Sequence, residues 1–241
     1  MAHPKCVELR DRWYVQRGWK HAYRHHLDAV TASLDHNKSI LDLGCGRTFP
    51  LATKYLAHTD AVFGLDPVAE PSEVPHPAVV RRGSAVSIPF ADDSFDVVTS
   101  RSVLEHLAQP QQVFHDIARV LKPAGRFIFL TPSRYDYVSV ASMLMPNVWH
   151  PWLVKQLEGR PDEDTFPTFY RANTRARAHR LAHRAGLYVE RLDYLNHHPV
   201  YFMFSPCLYR LATLYDQLVS RLACLGFLRG WLLGILRKPE R

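Results

Sequence analysis

The spacing of apolar residues changes several times along the chain. Leu27, Val30 and Leu34 recur at helical spacing, while Trp13, Arg17, Lys20, Arg24 and several histidines share the surface, so residues 7–34 read as helical and 1–36 as an N-terminal helical cap. Short apolar runs then alternate with helical stretches. ILDLG (40–44), AVFGLD (61–66), VVRRG (79–83), FDVVTS (95–100) and RFIFLTP (126–132) predict five strands. Residues 48–57 predict a helix with Pro50 in its first turn, where proline is tolerated. Residues 110–121 predict another, ending in the turn KPAG, and 173–186 a third, with Asn173 as N-cap and Gly186 as stop. LYVERLDYL (187–195) and PVYFMFS (199–205) predict two last strands joined by a hairpin turn at NHHP. Prolines at 67, 71, 75 and 77 prevent a full helix after the second strand.

Strands alternating with helices imply an α/β fold: a Rossmann-like, seven-stranded, mostly parallel sheet covered on both faces, here with a closing antiparallel hairpin. Its core spans 37–205, with a lid insertion at 133–172, and a C-terminal helical extension covers 206–241. In that extension Leu208, Leu211, Leu214, Leu218, Leu222 and Leu225 recur every three or four residues, with Arg210, Asp216, Gln217 and Arg221 between them. That is an amphipathic helix. The following CLGFLRGWLLGILRK is apolar on nearly every side, too short to span a bilayer, and interrupted by Arg229. Two readings stand: packing on the domain or on a second subunit, giving a homodimer, and peripheral contact with a membrane, which Trp231 and the flanking cations suit.

The 241 residues are 47% hydrophobic and 22% charged, enough for a globular core. Four cysteines (Cys6, Cys45, Cys207, Cys224) form no CxxC pair, and their spacing suggests neither a zinc site nor a disulfide framework. They read as reduced thiols of a cytoplasmic protein, and no apolar run near Met1 marks a secretory signal. The net charge of +7 is moderate and mostly scattered, so no nucleic-acid partner is expected. Local excesses sit at the ends: residues 1–26 and 205–241 each hold six Lys/Arg against two acids.

Gly44 and Gly46 directly follow the first strand and precede a helix. Glycine lets a ligand lie against the main chain, and a helix start offers free N–H groups. Asp42 stands two residues before Gly44, and Asp66 ends the second strand 20 residues after Gly46. An acid at that distance is placed to accept hydrogen bonds from ribose hydroxyls. The dinucleotide fingerprint needs a third glycine where Phe49 stands, and there is no Gly-Lys-Ser/Thr phosphate loop.

ILDLGCG, VFGLD, GSAVSIPFADDSFDVVTSRSVLEHL and LKPAGRFIFLTP, in this order and spacing, resemble the class I S-adenosylmethionine-dependent methyltransferases, in particular the small-molecule and quinone-type branch. The resemblance covers roughly 35–205 and implies S-adenosylmethionine as cofactor. It implies that Asp42 and the Gly44–Cys45–Gly46 backbone face the methionine part, and that Asp66, with Pro67 beside it, holds the ribose. Ser84 and Ala85 would border the adenine, with Ile88 and Pro89 shaping that wall. Arg101 and Ser102 would lie beside the methionine and the transferable methyl. Two departures stand out. Ser84 replaces a frequent aspartate, and the proline-rich segment after Asp66 replaces an expected helix.

Methyl transfer from a sulfonium needs alignment and, for a hydroxyl acceptor, removal of a proton. His106, in SVLEHL, is the candidate general base, against the plainer role of a helix-start histidine bonded to its own backbone or to Glu105. His150, Trp152, Asp164, Tyr170 and Arg171 of the lid are candidate substrate contacts, against simple packing of Trp149, Trp152, Phe166 and Phe169. Trp13 and Arg17 are candidates to close over the cofactor, the arginine by pairing with a carboxylate. No metal constellation emerges; His25–His26 and His197–His198 are adjacent pairs whose side chains need not converge. The expected function is methyl transfer to a small molecule, most simply at oxygen: a natural-product scaffold, a sugar or a lipid-linked intermediate. A nucleic-acid methyltransferase is the second reading, disfavoured because SRSVLEH replaces the Asn/Asp-Pro-Pro-aromatic loop of base-methylating enzymes. A cofactor-binding protein without turnover, and a rearrangement or cyclisation catalyst, are the others.

Overall fold

The computed structural model describes residues 2–144 and 166–240. Among the described residues, seven strands form one sheet: β1 Ile40–Leu43, β2 Val62–Asp66, β3 Val79–Arg82, β4 Phe95–Arg101, β5 Leu121–Pro132, β6 Tyr188–Leu195 and β7 Trp231–Arg237. Their order across the sheet is β3-β2-β1-β4-β5-β7-β6. β1 to β5 pair in parallel, and β7 runs antiparallel between β5 and β6. The order reverses between β1 and β4, which opens a crevice at the carboxyl ends of those strands.

Both sheet faces are buried, so the strands read as continuous apolar runs. Side chains still alternate. Leu41, Leu43, Phe127, Phe129 and Leu232 meet Val113, Phe114 and Ile117 of helix α4 (Pro110–Val120) and Leu181 of helix α6 (Arg175–Arg184). Ile40, Val62, Ile128, Leu130 and Leu233 point the other way. They meet Ala22 and Val30 of helix α2 (Ala22–Thr31), and Ala52 and Tyr55 of helix α3 (Ala52–Leu56). Burying a side chain of this kind is worth about 1.5–3 kcal/mol, so these two layers dominate the stability of the sheet.

The N-terminal region divides in two. Helix α1 (Pro4–Trp13) ends in a 3-10 turn at Val15–Arg17, and Gly18, at φ 71°, turns the chain into α2. The proline-rich stretch after β2 holds a single 3-10 turn, Pro71–Glu73, as its prolines require. Helix α5 (Tyr137–Leu144) opens the insertion after β5.

The expected hairpin at 187–205 does not form. Val200–Phe202 is a 3-10 turn, and the partner of β6 is β7, from the stretch read as an apolar helix. Helix α7 (Pro206–Arg221) lies between them in sequence. The seventh strand therefore comes from within 206–241, the range expected to be wholly helical. A run buried on both faces has no alternation to separate strand from helix. Gly226 and Gly230 were the available signal that a helix could not continue. Gly234 explains the tight seat of β7: a Cβ there would lie 2.2 Å from the Phe129 ring.

The N-cap of α6 is Thr174, whose hydroxyl accepts from the Arg177 N–H at 3.2 Å. Asn173, the expected cap, is fully buried instead. Its amide donates to Thr131 Oγ1 at 2.6 Å and to the Pro132 carbonyl at 3.0 Å, tying the end of β5 to the start of α6.

Candidate functional site

The crevice begins where β1 ends. Gly44 and Gly46 have φ of 77° and 78°, which side chains rarely adopt. Gly44 is also required by contact, since a Cβ there would meet Val103 Cγ2 at 2.2 Å. At Gly46 a Cβ would approach only Pro50, at 4.0 Å, so the space above this backbone is open. Phe49, where a third glycine was missing, holds φ 49° and is fully buried against Tyr55. It fits because Gly64 of β2 has no side chain: a Cβ there would lie 2.7 Å from Cys45 Sγ and 2.9 Å from the Phe49 ring. Cys45 is therefore packed inward, with its thiol pushed up by burial and present as the neutral form.

Two carboxylates flank this bend. Asp66, at the end of β2, accepts from the Gly46 N–H at 2.9 Å and from the Val68 N–H at 3.0 Å. It locks the loop from the β2 side and keeps lone-pair directions for a further donor. Asp42 is buried and accepts from Tyr55 Oη at 3.1 Å. Burial pushes its carboxyl up to about 7, against the lowering pull of Arg101.

The far wall comes from β4. Ser102 takes φ 58°, and its N–H donates to the Leu130 carbonyl at 2.8 Å. The Arg101 guanidinium lies 4.5 Å over the Tyr23 ring, and Tyr23 Oη is 3.5 Å from Ser102 Oγ. Thr99 donates to the Ile128 carbonyl at 3.0 Å, so its oxygen accepts from His26 Nε2 at 2.9 Å. Burial holds His26 neutral, with its imidazole lowered to about 4. Thus α2 presents Tyr23 and His26 to this strand. Trp13 instead packs beside the cluster of Cys6, Tyr14, Met203 and Tyr209, and Arg17 is exposed. Neither is brought to Arg101 and Ser102.

The third side is the loop after β3. Ser84 Oγ accepts from the Val86 N–H at 3.3 Å, and Ile88 is buried while Pro89 is exposed. Arg119 of α4 clamps this loop, donating to the Ile88 and Phe90 carbonyls at 2.9 and 2.8 Å while pairing with Asp116 and Asp92. Pro67 is exposed, and its carbonyl accepts from Arg82 at 2.8 Å.

His106 sits in a 3-10 turn, Leu104–His106, beyond β4. Its Nδ1 is 3.0 Å from the Pro167 carbonyl, which only accepts, so Nδ1 donates there and Nε2 is left on the other side of the ring. Nε2 is 4.0 Å from buried Glu105, whose other oxygen accepts from Thr131 at 2.9 Å. Tyr170 is buried at φ 49°, and its N–H donates to the Glu105 carbonyl at 3.1 Å. Arg171 turns away, donating to the Ala108 carbonyl at 2.5 Å in the groove between α4 and α6. His150, Trp152 and Asp164 lie outside the described residues.

Sequence reasoning missed a further cluster at the same end of the sheet. Tyr137 Oη is 2.8 Å from His197 Nε2, and His197 Nδ1 is 3.8 Å from Asp136. Gly230 makes room, since a Cβ there would lie 1.8 Å from His197 Nδ1. Trp231, Tyr23 and His21 stack edge to face beside it. These residues come from distant segments, so no local motif announces them. Among the described residues no three His, Cys, Asp or Glu side chains converge as a metal site.

Comparisons with known proteins agree with this geometry. A family model described as "Methyltransferase domain" matches residues 41–129. The ubiquinone biosynthesis O-methyltransferase of Vibrio vulnificus is 30% identical over 178 residues, covering 67% of this chain and 74% of that one. The same-named protein of Klebsiella pneumoniae is 33% identical over 108 residues, 40% of this chain and 43% of its own length, so the match spans less than half of that relative. Among solved structures, a methyltransferase of Haloferax volcanii in complex with the Trm112 methyltransferase activator superposes with a TM-score of 0.60 at 22% identity, covering 98% of this chain and 94% of that one. That likeness shows the fold. The open bend at Gly46, the carboxylate closing β2 and the buried Ile88 wall fit a nucleoside with an amino-acid tail. On the residue match and the shared fold, this chain belongs to the class I S-adenosylmethionine-dependent methyltransferases.

Proposed function

We propose that the protein transfers a methyl group from S-adenosylmethionine to a small-molecule acceptor, at oxygen. The observation that carries this reading is the open main-chain bend at Gly46, hydrogen-bonded to Asp66, with Val103 packed on Gly44 and the Arg101 charge acting on Asp42. Three relatives support a small-molecule acceptor by name: the two ubiquinone biosynthesis O-methyltransferases and the demethylmenaquinone methyltransferase of Lactiplantibacillus plantarum.

The cofactor supplies an already activated methyl, so the chain has to hold, align and deprotonate. Asp66 accepts from the ribose hydroxyls. The Gly44–Gly46 backbone and Asp42 hold the methionine end, with an ionised Asp42 opposite its ammonium. The Arg119 clamp fixes the Ile88 side of the adenine pocket. For an acceptor hydroxyl, His106 Nε2 takes the proton, and the nearby Glu105 carboxylate stabilises the imidazolium. Arg101 and Tyr23 border the acceptor and exclude water.

The deciding experiment incubates the protein with methyl-labelled cofactor and extracts of its host, and identifies what becomes labelled. An O-methylated small molecule supports the reading. Label in RNA or DNA, or none in the presence of bound cofactor, refutes it. One observation favours the nucleic-acid alternative: a groove of about 710 Å³ between α4 and α6 is lined by Arg171, Arg177, Arg180 and Arg184 with no carboxylate. Salt-dependent RNA retention lost on Arg180→Gln with Arg184→Gln would move the assignment there.

A further inference from the structure

Helix α7 is mounted the opposite way round from a usual surface helix. Its polar side faces the domain. Tyr209, Thr213 and Val219 are buried, and Tyr14 Oη donates to Asp216 at 3.2 Å. Asn196 donates to Ser220 Oγ, and Arg229 donates to the Ser220 carbonyl at 2.9 Å. Its leucine side faces outward: Leu208, Leu211, Leu214, Leu218 and Leu222 are 41%, 59%, 53%, 54% and 42% exposed. At about 100° per residue these five share an arc of about 120°. Arg210 and Arg221 border one edge of that arc, and the helix's single acid, Asp216, points inward. Phe204, 63% exposed, precedes the N-cap.

The stripe is modest in area, but its leucines are contiguous along one exposed face and not scattered singly. Three features select its occupant. The stripe is about 21 Å long and one helix wide, an area of about 210 Å², where a stable protein interface needs about 800 Å² per partner. The arginine edge and the chain's net charge of +7 disfavour a second, equally charged copy and favour an anionic surface. Leucines bordered by cations on one helix also match the way interfacial helices lie at the acyl boundary. We propose that α7 docks the protein, leucine side down, on an anionic lipid bilayer.

The test is co-sedimentation of the full chain with phosphatidylcholine vesicles and with vesicles of phosphatidylcholine and phosphatidylglycerol in equal parts. The wild type is expected to bind the anionic vesicles and to be released by salt. Leu211→Gln with Leu218→Gln should lower partitioning by about tenfold or more. Arg210→Gln with Arg221→Gln should lower it by about tenfold on anionic vesicles alone. The thermal midpoint without lipid should be unchanged in both variants. No binding by the wild type, or equal binding by the leucine variant, overturns the proposal. So does a dimer in sedimentation equilibrium that the leucine variant dissociates, which gives the stripe to a second copy. A fall in the lipid-free midpoint gives it to the chain itself and overturns the proposal too. Binding is read without turnover, so its failure leaves the methyl-transfer reading standing.

Discussion

Single residues set the chemistry of the crevice, and two carboxylates divide the work. Asp66 keeps accepting capacity beside a bare backbone, so its loss removes both a loop tie and the hydroxyl acceptors. Asp66→Ala is expected to weaken S-adenosylhomocysteine binding by about 10- to 100-fold, corresponding to about 1.5–3 kcal/mol, measured by titration calorimetry. Asp42 is the titrating partner. Burial raises its carboxyl to about 7, above its unfolded value, so the folded state binds the extra proton. Its contribution to stability is therefore present below about pH 4 and lost as pH rises through about 7. With Asp42 opposite the methionine ammonium, as proposed, cofactor affinity runs the other way, because only the ionised carboxylate attracts that charge. Binding should strengthen from pH 6 to 8 by more than Asp42→Asn does over the same interval. His106→Gln should retain binding and lose turnover by about 10²-fold or more, as for a general base. Unchanged turnover would move the base to the His197–Tyr137 pair.

Gly44, Gly46 and Asp66 were legible as positions because their features are local: positive φ, and an acid at a strand end. Asp42 took its role only from the family resemblance. His26, Tyr23 and His197 were not legible, because each acts through a partner more than 50 residues away. His106 was legible as a position, but the orientation of its ring is set by the Pro167 carbonyl, 61 residues on.

Among the elements, β7 carries the most unexpected load. It pairs along its whole length with β5 on one side and β6 on the other. Deleting residues 231–241 should therefore abolish the cooperative urea transition rather than trim an appendage. Gly234→Val is the milder probe. It drives a side chain into Phe129 and should lower stability by about 1–3 kcal/mol or more in the same assay. β1, β2, β4 and the second half of β5 were readable because each is a short apolar run; β5 begins earlier, at Leu121, through the stretch expected to be a turn. β7 was not, since burial on both faces erases the period that distinguishes a strand. For α7 the periodicity was correct, and its direction was left open. A pattern of leucines shows which residues share a face, and only packing shows which way that face points.

At the scale of the whole molecule, the crevice is assembled from β1, β2, β4, α2 and the loop after β3, so ligand binding should stiffen the whole domain. S-adenosylhomocysteine at about one hundred times its dissociation constant should stabilise the fold by about 2.7 kcal/mol. For a chain of this size that raises the thermal midpoint by about 5–10 °C, seen by differential scanning fluorimetry. Asp66→Ala should lose most of that shift at the same ligand concentration.

The sequence alone determined where the sheet's first five strands fall along the chain, the glycine bend, the acid that closes β2 and therefore the family. Those features depend on backbone dihedrals and short-range hydrogen bonds, which neighbouring residues dictate. The tertiary structure decided which tail segment completes the sheet, which N-terminal side chains reach β4, and which side of α7 meets solvent. Each of those depends on contacts between distant segments, where the free energy of burial outweighs any local preference.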